Sequence, residues 1–173
     1  MDDQATYEKV RQALELFFSK DHDLLELDVN ERSISHKLAE HLQTFFQHYD
    51  VDCEYNRRGR IPKRIRGYRE QQARMDDSEG QTVYPDIVVH RRNTGVNHLV
   101  IEIKKSNSSI DPAWDLKKLR AFTEGDSEYR YDTGLFLVFD VDRGELGDIV
   151  CIRAGRVERE GVWSTLKGLG YGE

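Results

Sequence analysis

The sequence has few cysteines, few prolines and no long apolar run. Its two cysteines, Cys53 and Cys151, stand alone without a CxxC motif or a Cys/His cluster of zinc-ligand spacing, which argues against a zinc site and against a disulfide framework. No basic N-terminal region precedes an apolar run, and about 18 uninterrupted apolar residues occur nowhere, so we expect neither a signal peptide nor a membrane segment. The sequence therefore predicts a cytoplasmic protein.

Length and composition favour one globular domain over residues 1–173. Hydrophobic residues make up 38% and charged residues 34%, which is polar for a globular protein but leaves distinct apolar segments along most of the chain. A chain of this length has no room for a separate substrate-recognition domain. Any catalytic and binding functions are therefore expected to share one core.

Charge is distributed unevenly. The formal net charge of −6 argues against a protein that coats nucleic acid generally, because neutralising phosphates needs a positive surface. One stretch nevertheless has a net charge of +7, with Glu70 set against eight basic residues: Arg57, Arg58, Arg60, Lys63, Arg64, Arg66, Arg69 and Arg74. Such a stretch is either a phosphate-contacting loop or a solvated one. The five residues proposed to bind nucleic acid are Arg57, Arg58, Arg60, Lys63 and Arg64.

Apolar periodicity predicts the order of the elements. Two amphipathic helices come first, over about residues 4–49, and the second opens at the cap-type residues 28–31. Then follow a strand at 51–56, an irregular loop at 57–81, a hairpin at 84–90 and 98–104, a helix from Asp111, a central strand at 133–141, a hairpin at 149–153 and 156–160 around Ala154-Gly155, and a short helix at 163–169. This order predicts an α/β sandwich, a mixed central sheet flanked by helices, with a catalytic core at about 51–141 and C-terminal elements at about 148–170.

The first hairpin predicts a cluster of charged side chains. Asn93-Thr94-Gly95 fits a three-residue loop whose last position is left-handed and favours glycine. If Arg92 then pairs with Val96, His90 faces His98 and Asp86 faces Glu102. Directly opposed residues have Cβ atoms about 4.5–5.5 Å apart, so two such carboxylates can converge on one divalent cation.

Strand alternation places Glu102 and Lys104 on one face, while Ile103 points to the more apolar side. His90 and His98 fall on the carboxylate face, farther along the hairpin, and are interpreted as polar strand-end residues. Lys105 faces away and is expected to be solvent-facing or paired. Lys118, one turn beyond Asp115 on the next helix, is placed to point toward the site, but an Asp–Lys pair three residues apart usually forms a surface ion pair.

In this context the sequence resembles the PD-(D/E)XK nuclease superfamily, whose fold is restriction-endonuclease-like. The resemblance lies in Pro85-Asp86, fifteen intervening residues, and then Glu102-Ile103-Lys104. A preceding helix with a glutamate, the hairpin, the helix after the motif and the next apolar strand follow the family's order over about residues 29–141.

The resemblance implies roles for individual residues. Asp86 and Glu102 would ligate Mg²⁺, with Mn²⁺ as the alternative ion, and the Ile103 backbone carbonyl would be a third ligand. Lys104 would be the catalytic lysine. The family's helical glutamate maps to Glu31, for which a second interpretation stays open: Asp28 and Glu31 have the three-residue offset of a capping box, in which the glutamate only satisfies a helix-end amide.

The expected function is hydrolysis of nucleic-acid phosphodiester bonds by a metal-dependent nuclease, most simply a DNA endonuclease. DNA is preferred over RNA because it is the commoner substrate in the resembled superfamily. One alternative is a non-catalytic nucleic-acid-binding or interaction module with the same fold. Another is a dimeric, resolvase-like nuclease, since a minimal core would take its target recognition from a homodimer or from a partner protein.

Overall fold

The computed structural model describes residues 3–55, 57–58, 61–62, 64–65, 81–82, 84–158 and 161–171. The helices are α1 (Asp3–Asp21), α2 (Asp23–Glu26), α3 (Glu31–Phe45) and α4 (Ala113–Thr123), with a 3₁₀ helix at Val162–Leu166. The strands are β1 (Asp50–Cys53), β2 (Arg57–Arg58), β3 (Ile61–Pro62), β4 (Arg64–Ile65), β5 (Gln81–Thr82), β6 (Ile87–His90), β7 (Asn97–Lys105), β8 (Thr133–Asp140), β9 (Glu145–Arg153) and β10 (Arg156–Glu158). None of the helices in this part of the chain combines the length and apolar character that a membrane crossing requires.

Six strands form one mixed sheet in the order β1-β6-β7-β8-β9-β10. The central pair β7–β8 is parallel and is connected through α4, whereas the flanking pairs are antiparallel. The predicted α/β class with a mixed central sheet and flanking helices is therefore confirmed, and the strand at 133–141 is central as predicted.

Apolar side chains of alternate strand residues build a core on each face of the sheet. On the first face, Ile101 and Ile103 pack in one cluster with the stripes of α1 and α3, which include Phe17 and Leu38. On the second face, Val100 packs with Leu119 and Phe122 of α4 and with Tyr131. Because β7 alternates between the two cores, its even-numbered side chains from Val100 onward face α4.

A glycine lets α4 lie close to the sheet. A Cβ atom added at Gly134 of β8 would come within 3.1 Å of Thr123 Cγ2 and 3.4 Å of Leu119 Cδ2. A side chain at this position would push the helix outward, since packed interiors have little free volume. This close approach carries the inward-facing charged residues of α4 onto β7.

Two sequence predictions about connections have opposite outcomes. The hairpin around Ala154-Gly155 is confirmed: both residues have positive φ, 46° and 72°, which is typical of the two-residue turns that join antiparallel strands. The irregular loop predicted at 57–81 is wrong in its described part, where β2 pairs with β3 and β4 pairs with β5. Each of these four strands has only two residues, which is too short for apolar alternation to be visible in the sequence.

Candidate active site

The β6–β7 hairpin has the predicted register at the site. Its pairs are Ile87↔Ile101, Val88↔Val100 and Val89↔Leu99. Continued by one residue, the same register sets Asp86 opposite Glu102, beyond the last paired position of β6.

The turn reaches this register by a different route from the predicted one. Arg91 N donates to Val96 O at 2.9 Å, and the residue with positive φ is Asn93 (60°), not Gly95. His90 consequently pairs with Asn97 instead of His98. His98 is the extra residue of a β-bulge, and the bulge restores the pairing at Val89.

The bulge also turns His98 toward the first face of the sheet, so the prediction that it shares the carboxylate face is wrong. His98 Nε2 lies 2.9 Å from Thr6 Oγ1, and Nδ1 lies 3.0 Å from Asp132 Oδ2. Burial lowers the pKa of His98, and the hydrogen bond and charge of Asp132 partly offset this decrease. His90 does lie on the carboxylate face, where Nε2 is 2.9 Å from Asp52 Oδ2.

Asp86 is bound to the edge of β7. Its Oδ2 accepts a hydrogen bond from Ile103 N at 2.7 Å. In a strand, the N–H and C=O of one residue point to the same neighbour, so the Ile103 carbonyl points to this edge as well. The residue opposite Ile103 in the continued register is Pro85, which has no N–H to donate to that carbonyl. The Pro-Asp dipeptide therefore leaves a backbone oxygen and a carboxylate side by side.

Glu31 reaches the same edge from α3. Its Oε1 accepts from Lys105 N at 3.0 Å, one pleat beyond the Ile103 N–H that Asp86 binds. Since the Ile103 carbonyl lies between those two amides along the strand, it is flanked by both carboxylates. Burial is the main cause of the raised pKa of Asp86, and the negative charge of Glu31 adds to it.

The alternative role of Glu31 in a capping box with Asp28 is wrong. The N-cap of α3 is Asn30, whose Oδ1 accepts from Ser33 N at 2.9 Å. Asp28 has a positive φ of 49° and accepts from Lys105 Nζ at 2.7 Å, so Lys105 is paired, as the sequence allowed. Asn30 and Asp28 are both cap-type residues, and the sequence does not say which one the chain uses.

Glu102 is the most deeply buried acid of the site, with 1% of its surface exposed. Its Oε2 accepts from Lys118 Nζ at 2.6 Å, whereas its Oε1 is buried without a hydrogen-bond partner among the described residues. Burial raises the pKa of Glu102 well above the ordinary value; Lys118 opposes the rise, and Asp86 and Asp115 add to it. Burial likewise raises the pKa of Asp86 to about 6, against the hydrogen bond from Ile103.

Lys104 and Lys118 meet at one carboxylate of α4. Lys104 Nζ lies 2.8 Å from Asp115 Oδ2, and Lys118 Nζ lies 3.0 Å from Asp115 Oδ1. Burial disfavours the charge of Lys118, but Glu102 and Asp115 outweigh it, and the pKa of Lys118 is raised. Asp115 and Lys118 thus complete the cluster that the motif alone did not include.

The sequence holds a signal that decides whether Asp115 and Lys118 face the site or the solvent. Asp115 lies four residues before Leu119, and Lys118 lies four residues before Phe122; Leu119 and Phe122 are buried positions of α4. An ion pair that lies on the apolar stripe of a helix faces the sheet, whereas the usual pair with this spacing faces the solvent.

Three of the five nucleic-acid-binding candidates lie in described strands. Arg60 and Lys63 lie outside the described residues, and Arg57, Arg58 and Arg64 are described only as strand positions in β2 and β4. Two described residues that flank the basic segment do meet beside the site, because Glu54 N donates to Asp86 O at 3.1 Å.

The oxygens of this cluster suit a hard divalent cation, which takes carboxylate and carbonyl ligands. The groups positioned to supply such ligands are the side chains of Asp86, Glu102 and Glu31 and the Ile103 carbonyl. Glu102 Oε1 is a buried acceptor whose missing partner a cation would provide. In the described part of the chain, no three His, Cys, Asp or Glu side chains already converge as a metal cage. The acids are held by protein donors instead: Asp86 by Ile103 N, Glu31 by Lys105 N and Glu102 by Lys118.

No protein-family model matches this chain, and no curated protein matches it either. Fold and geometry define an α/β protein with a mixed six-stranded sheet and a buried acid and lysine cluster where β6 begins and β7 ends.

Glu31→Gln tests whether Glu31 is a ligand or a structural residue. If it is a ligand, the variant binds Mg²⁺ at least about tenfold more weakly, because removing a charge near a divalent ion costs more than about 1.4 kcal/mol at short range. Asn30→Ala is the matched control: it loses the true cap, which costs about 1 kcal/mol of stability, and keeps its metal affinity. Titration calorimetry and thermal melts on both variants separate the roles. A Glu31→Gln protein with unchanged metal affinity would exclude the ligand role.

Proposed function

We propose that this chain is a Mg²⁺-dependent nuclease of restriction-endonuclease-like fold that hydrolyses phosphodiester bonds in nucleic acid, with DNA as the preferred substrate. The observation that carries the proposal is the edge of β7 beyond the end of β6. There the Asp86 carboxylate is fixed by Ile103 N, beside a carbonyl that Pro85 cannot bond and across from the buried acid Glu102. A Pro-Asp before one strand and Glu-x-Lys in the next produce this arrangement through the register alone.

The residues that would hold Mg²⁺ or Mn²⁺ are Asp86, Glu102, the Ile103 carbonyl and Glu31. When bound, the cation would supply a Lewis acid for the phosphate and would lower the pKa of a water molecule. The chain itself contributes preorganisation: Ile103 N and Lys105 N hold two of the acids, so few side chains have to be ordered when a substrate arrives.

Lys104 is the group that would meet the charge developing on the phosphate. Its ammonium has three donors, and among the described residues one acceptor, Asp115, is within ion-pair distance. Since the Lys104 side chain is only 10% exposed, its remaining donors act in a medium where a charge-assisted hydrogen bond is strong. This geometry suits stabilisation of a pentavalent phosphate or orientation of the attacking water.

The basic segment is the proposed substrate-binding part. It would offset repulsion between DNA and an acidic chain, and Glu54 and Asp86, which flank it in sequence, are hydrogen-bonded to each other at the site. Replacing Arg57, Arg58, Arg60 and Arg64 by Ala should weaken DNA binding and flatten its salt dependence, by roughly 0.9 in slope for each phosphate that is no longer neutralised. Fluorescence anisotropy over a salt series measures both quantities. A variant with the wild-type slope would show that these arginines contact no phosphate.

The direct test is a cleavage assay with the full chain on single-stranded, linear double-stranded, closed circular and branched DNA, with Mg²⁺, Mn²⁺ or EDTA. We expect cleavage of at least one substrate in divalent metal and none in EDTA, and cutting of the circle would establish endonucleolytic action. If the protein binds DNA but cuts none of these substrates with either metal, a non-catalytic nucleic-acid-binding module replaces the nuclease.

A further inference from the structure

Lys118 lies between two acids of the site. Its ammonium is 2.6 Å from Glu102 Oε2 and 3.0 Å from Asp115 Oδ1, and 13% of its side chain is exposed. Neither the PD-x(n)-E-x-K pattern nor the proposed chemistry assigns a task to Lys118 or Asp115. Yet Glu102, which Lys118 binds, is one of the acids proposed to hold the cation.

We propose that Lys118 and Asp115 are positioning residues of this centre: Lys118 is an internal counter-ion that holds Glu102 until a divalent cation binds, and Asp115 retains Lys118 after the exchange. This inference rests on the proposed function, because it needs Glu102 to be a ligand. Beyond the proposed function, the inference states that the cation takes the place of the Lys118 ammonium group at Glu102.

Electrostatics favours the exchange. A buried carboxylate that keeps its charge is strongly disfavoured without a counter-charge, so an ionised Glu102 needs a cation beside it both before and after the metal binds. A divalent cation on the same carboxylate and an ammonium 2.6 Å from it would repel each other strongly at low dielectric. The ammonium therefore has to leave Glu102 when the metal arrives.

The geometry gives Lys118 a place to go. Asp115 is one helical turn away on α4, and its Oδ1 already forms an ion pair with the same Nζ at 3.0 Å, so Lys118 can release Glu102 without becoming an unpaired buried charge. Glu102 meanwhile offers Oε1, which is buried and has no hydrogen-bond partner among the described residues, as the first attachment point for the incoming ion. One oxygen is thus engaged by Lys118 and the other is ready for the metal.

Two substitutions at Lys118 have opposite expected effects on metal affinity. Lys118→Met keeps the aliphatic length and removes the competing charge, so the full chain should bind Mn²⁺ at least about tenfold more tightly. Lys118→Arg keeps the charge but binds a carboxylate through two parallel hydrogen bonds, so it is harder to displace and Mn²⁺ should bind about fivefold or more weakly. A merely structural lysine predicts no loss of affinity with arginine.

The experiment is calorimetric titration of Mn²⁺ into the full chain without nucleic acid, for the wild type, both Lys118 variants and Lys117→Met. Lys117 is the matched control, because it is exposed on the same helix and lies over Trp114, so removing its charge should change the affinity less than about twofold. Circular dichroism verifies folding. Should Lys118→Met not fold, the direction of the Lys118→Arg change decides.

The outcomes separate this inference from the proposed function. Tighter binding with Met and weaker binding with Arg support the exchange, and so does a Lys118→Met protein that binds Mn²⁺ when the wild type does not. Wild-type binding that neither Lys118 variant alters overturns the inference and leaves the metal centre intact. No binding by any of the proteins overturns the centre itself, and the exchange with it.

Discussion

In EDTA at pH 8, the Asp86→Asn variant melts at a higher temperature than the wild type, and Mg²⁺ no longer raises its melting temperature. The first effect arises because Asp86 is a half-buried acid, and its loss of solvent together with the nearby charges of Asp115 and Glu31 raises its pKa to about 6. Asparagine keeps the shape and can still accept the hydrogen bond from Ile103 N, but it carries no charge. The second effect arises because a ligand of the proposed metal centre is gone.

The sign and the pH window follow from linkage. Asp86 binds its proton more tightly in the folded chain than in the unfolded chain, where its pKa is near 3.8. The folded state therefore holds more protons between about pH 4 and pH 6, and the free energy of unfolding falls as the pH rises through this range. A shift of about two units corresponds to about 3 kcal/mol above pH 6. For a chain of this length, this is roughly 6–12 °C in melting temperature, less what the weaker hydrogen bond of asparagine costs.

Thermal melts of the wild type and the Asp86→Asn variant at pH 4 and pH 8, with EDTA or Mg²⁺, measure both effects. The advantage of the variant should be present at pH 8 and absent below pH 4. Wild-type protein should gain stability with Mg²⁺ concentration, because the ion binds the native state only. Glu102→Gln should behave like Asp86→Asn, and Asp132→Asn, which changes an exposed acid beside His98, should respond to Mg²⁺ like the wild type. An Asp86→Asn protein that is less stable at pH 8 contradicts the unfavourable charge of Asp86 in the folded chain, and one that Mg²⁺ still stabilises contradicts its role as a metal ligand.

Lys104→Met should separate hydrolysis from metal binding. Lys104 contributes an ammonium that the proposed mechanism aims at the phosphate, so its loss should slow single-turnover cleavage about 10²- to 10³-fold, as for removal of one preorganised donor. Metal affinity should be retained or increased, because a positive charge has left the cluster. Lys104 is buried, and methionine preserves most of the aliphatic length of its side chain.

Lys105→Met is the matched control for this prediction. Lys105 is adjacent in sequence, but its Nζ binds Asp28 on the other side of the strand. Its replacement removes the same charge from the same strand and should leave the cleavage rate within a few-fold of the wild type. If Lys104→Met cleaves like Lys105→Met, Lys104 has no part in the chemistry.

Local rules predicted the elements of the site well. The apolar stripes of α1 and α3 and the alternation of β7 are visible in sequence because burial on one face imposes a period. The register that sets Asp86 opposite Glu102 was also predicted correctly, but partly through cancelling differences: the turn is one residue longer than expected, and the bulge at His98 compensates. A bulge has no characteristic residue pattern in the sequence. The position of this one depends on the contacts that His98 makes with Thr6 and Asp132.

Long-range contacts set the part that could not be predicted. Glu31 could either cap its own helix or reach Lys105, 74 residues away. The outcome depended on whether Asp28 or Asn30 became the N-cap of α3. Lys118 contacts Glu102 across 16 residues only because Gly134 lets α4 lie close to the sheet. No residue pattern in a single element encodes such distances.

Single-turnover cleavage of DNA by the wild type and by Asp86→Asn, in saturating Mg²⁺ and with enzyme in excess, is the decisive measurement for the proposed metal centre. We expect cleavage by the wild type that EDTA abolishes, and a rate at least about a hundredfold lower for a folded Asp86→Asn protein. Equal rates for the two proteins would contradict a metal centre built on Asp86 and Glu102.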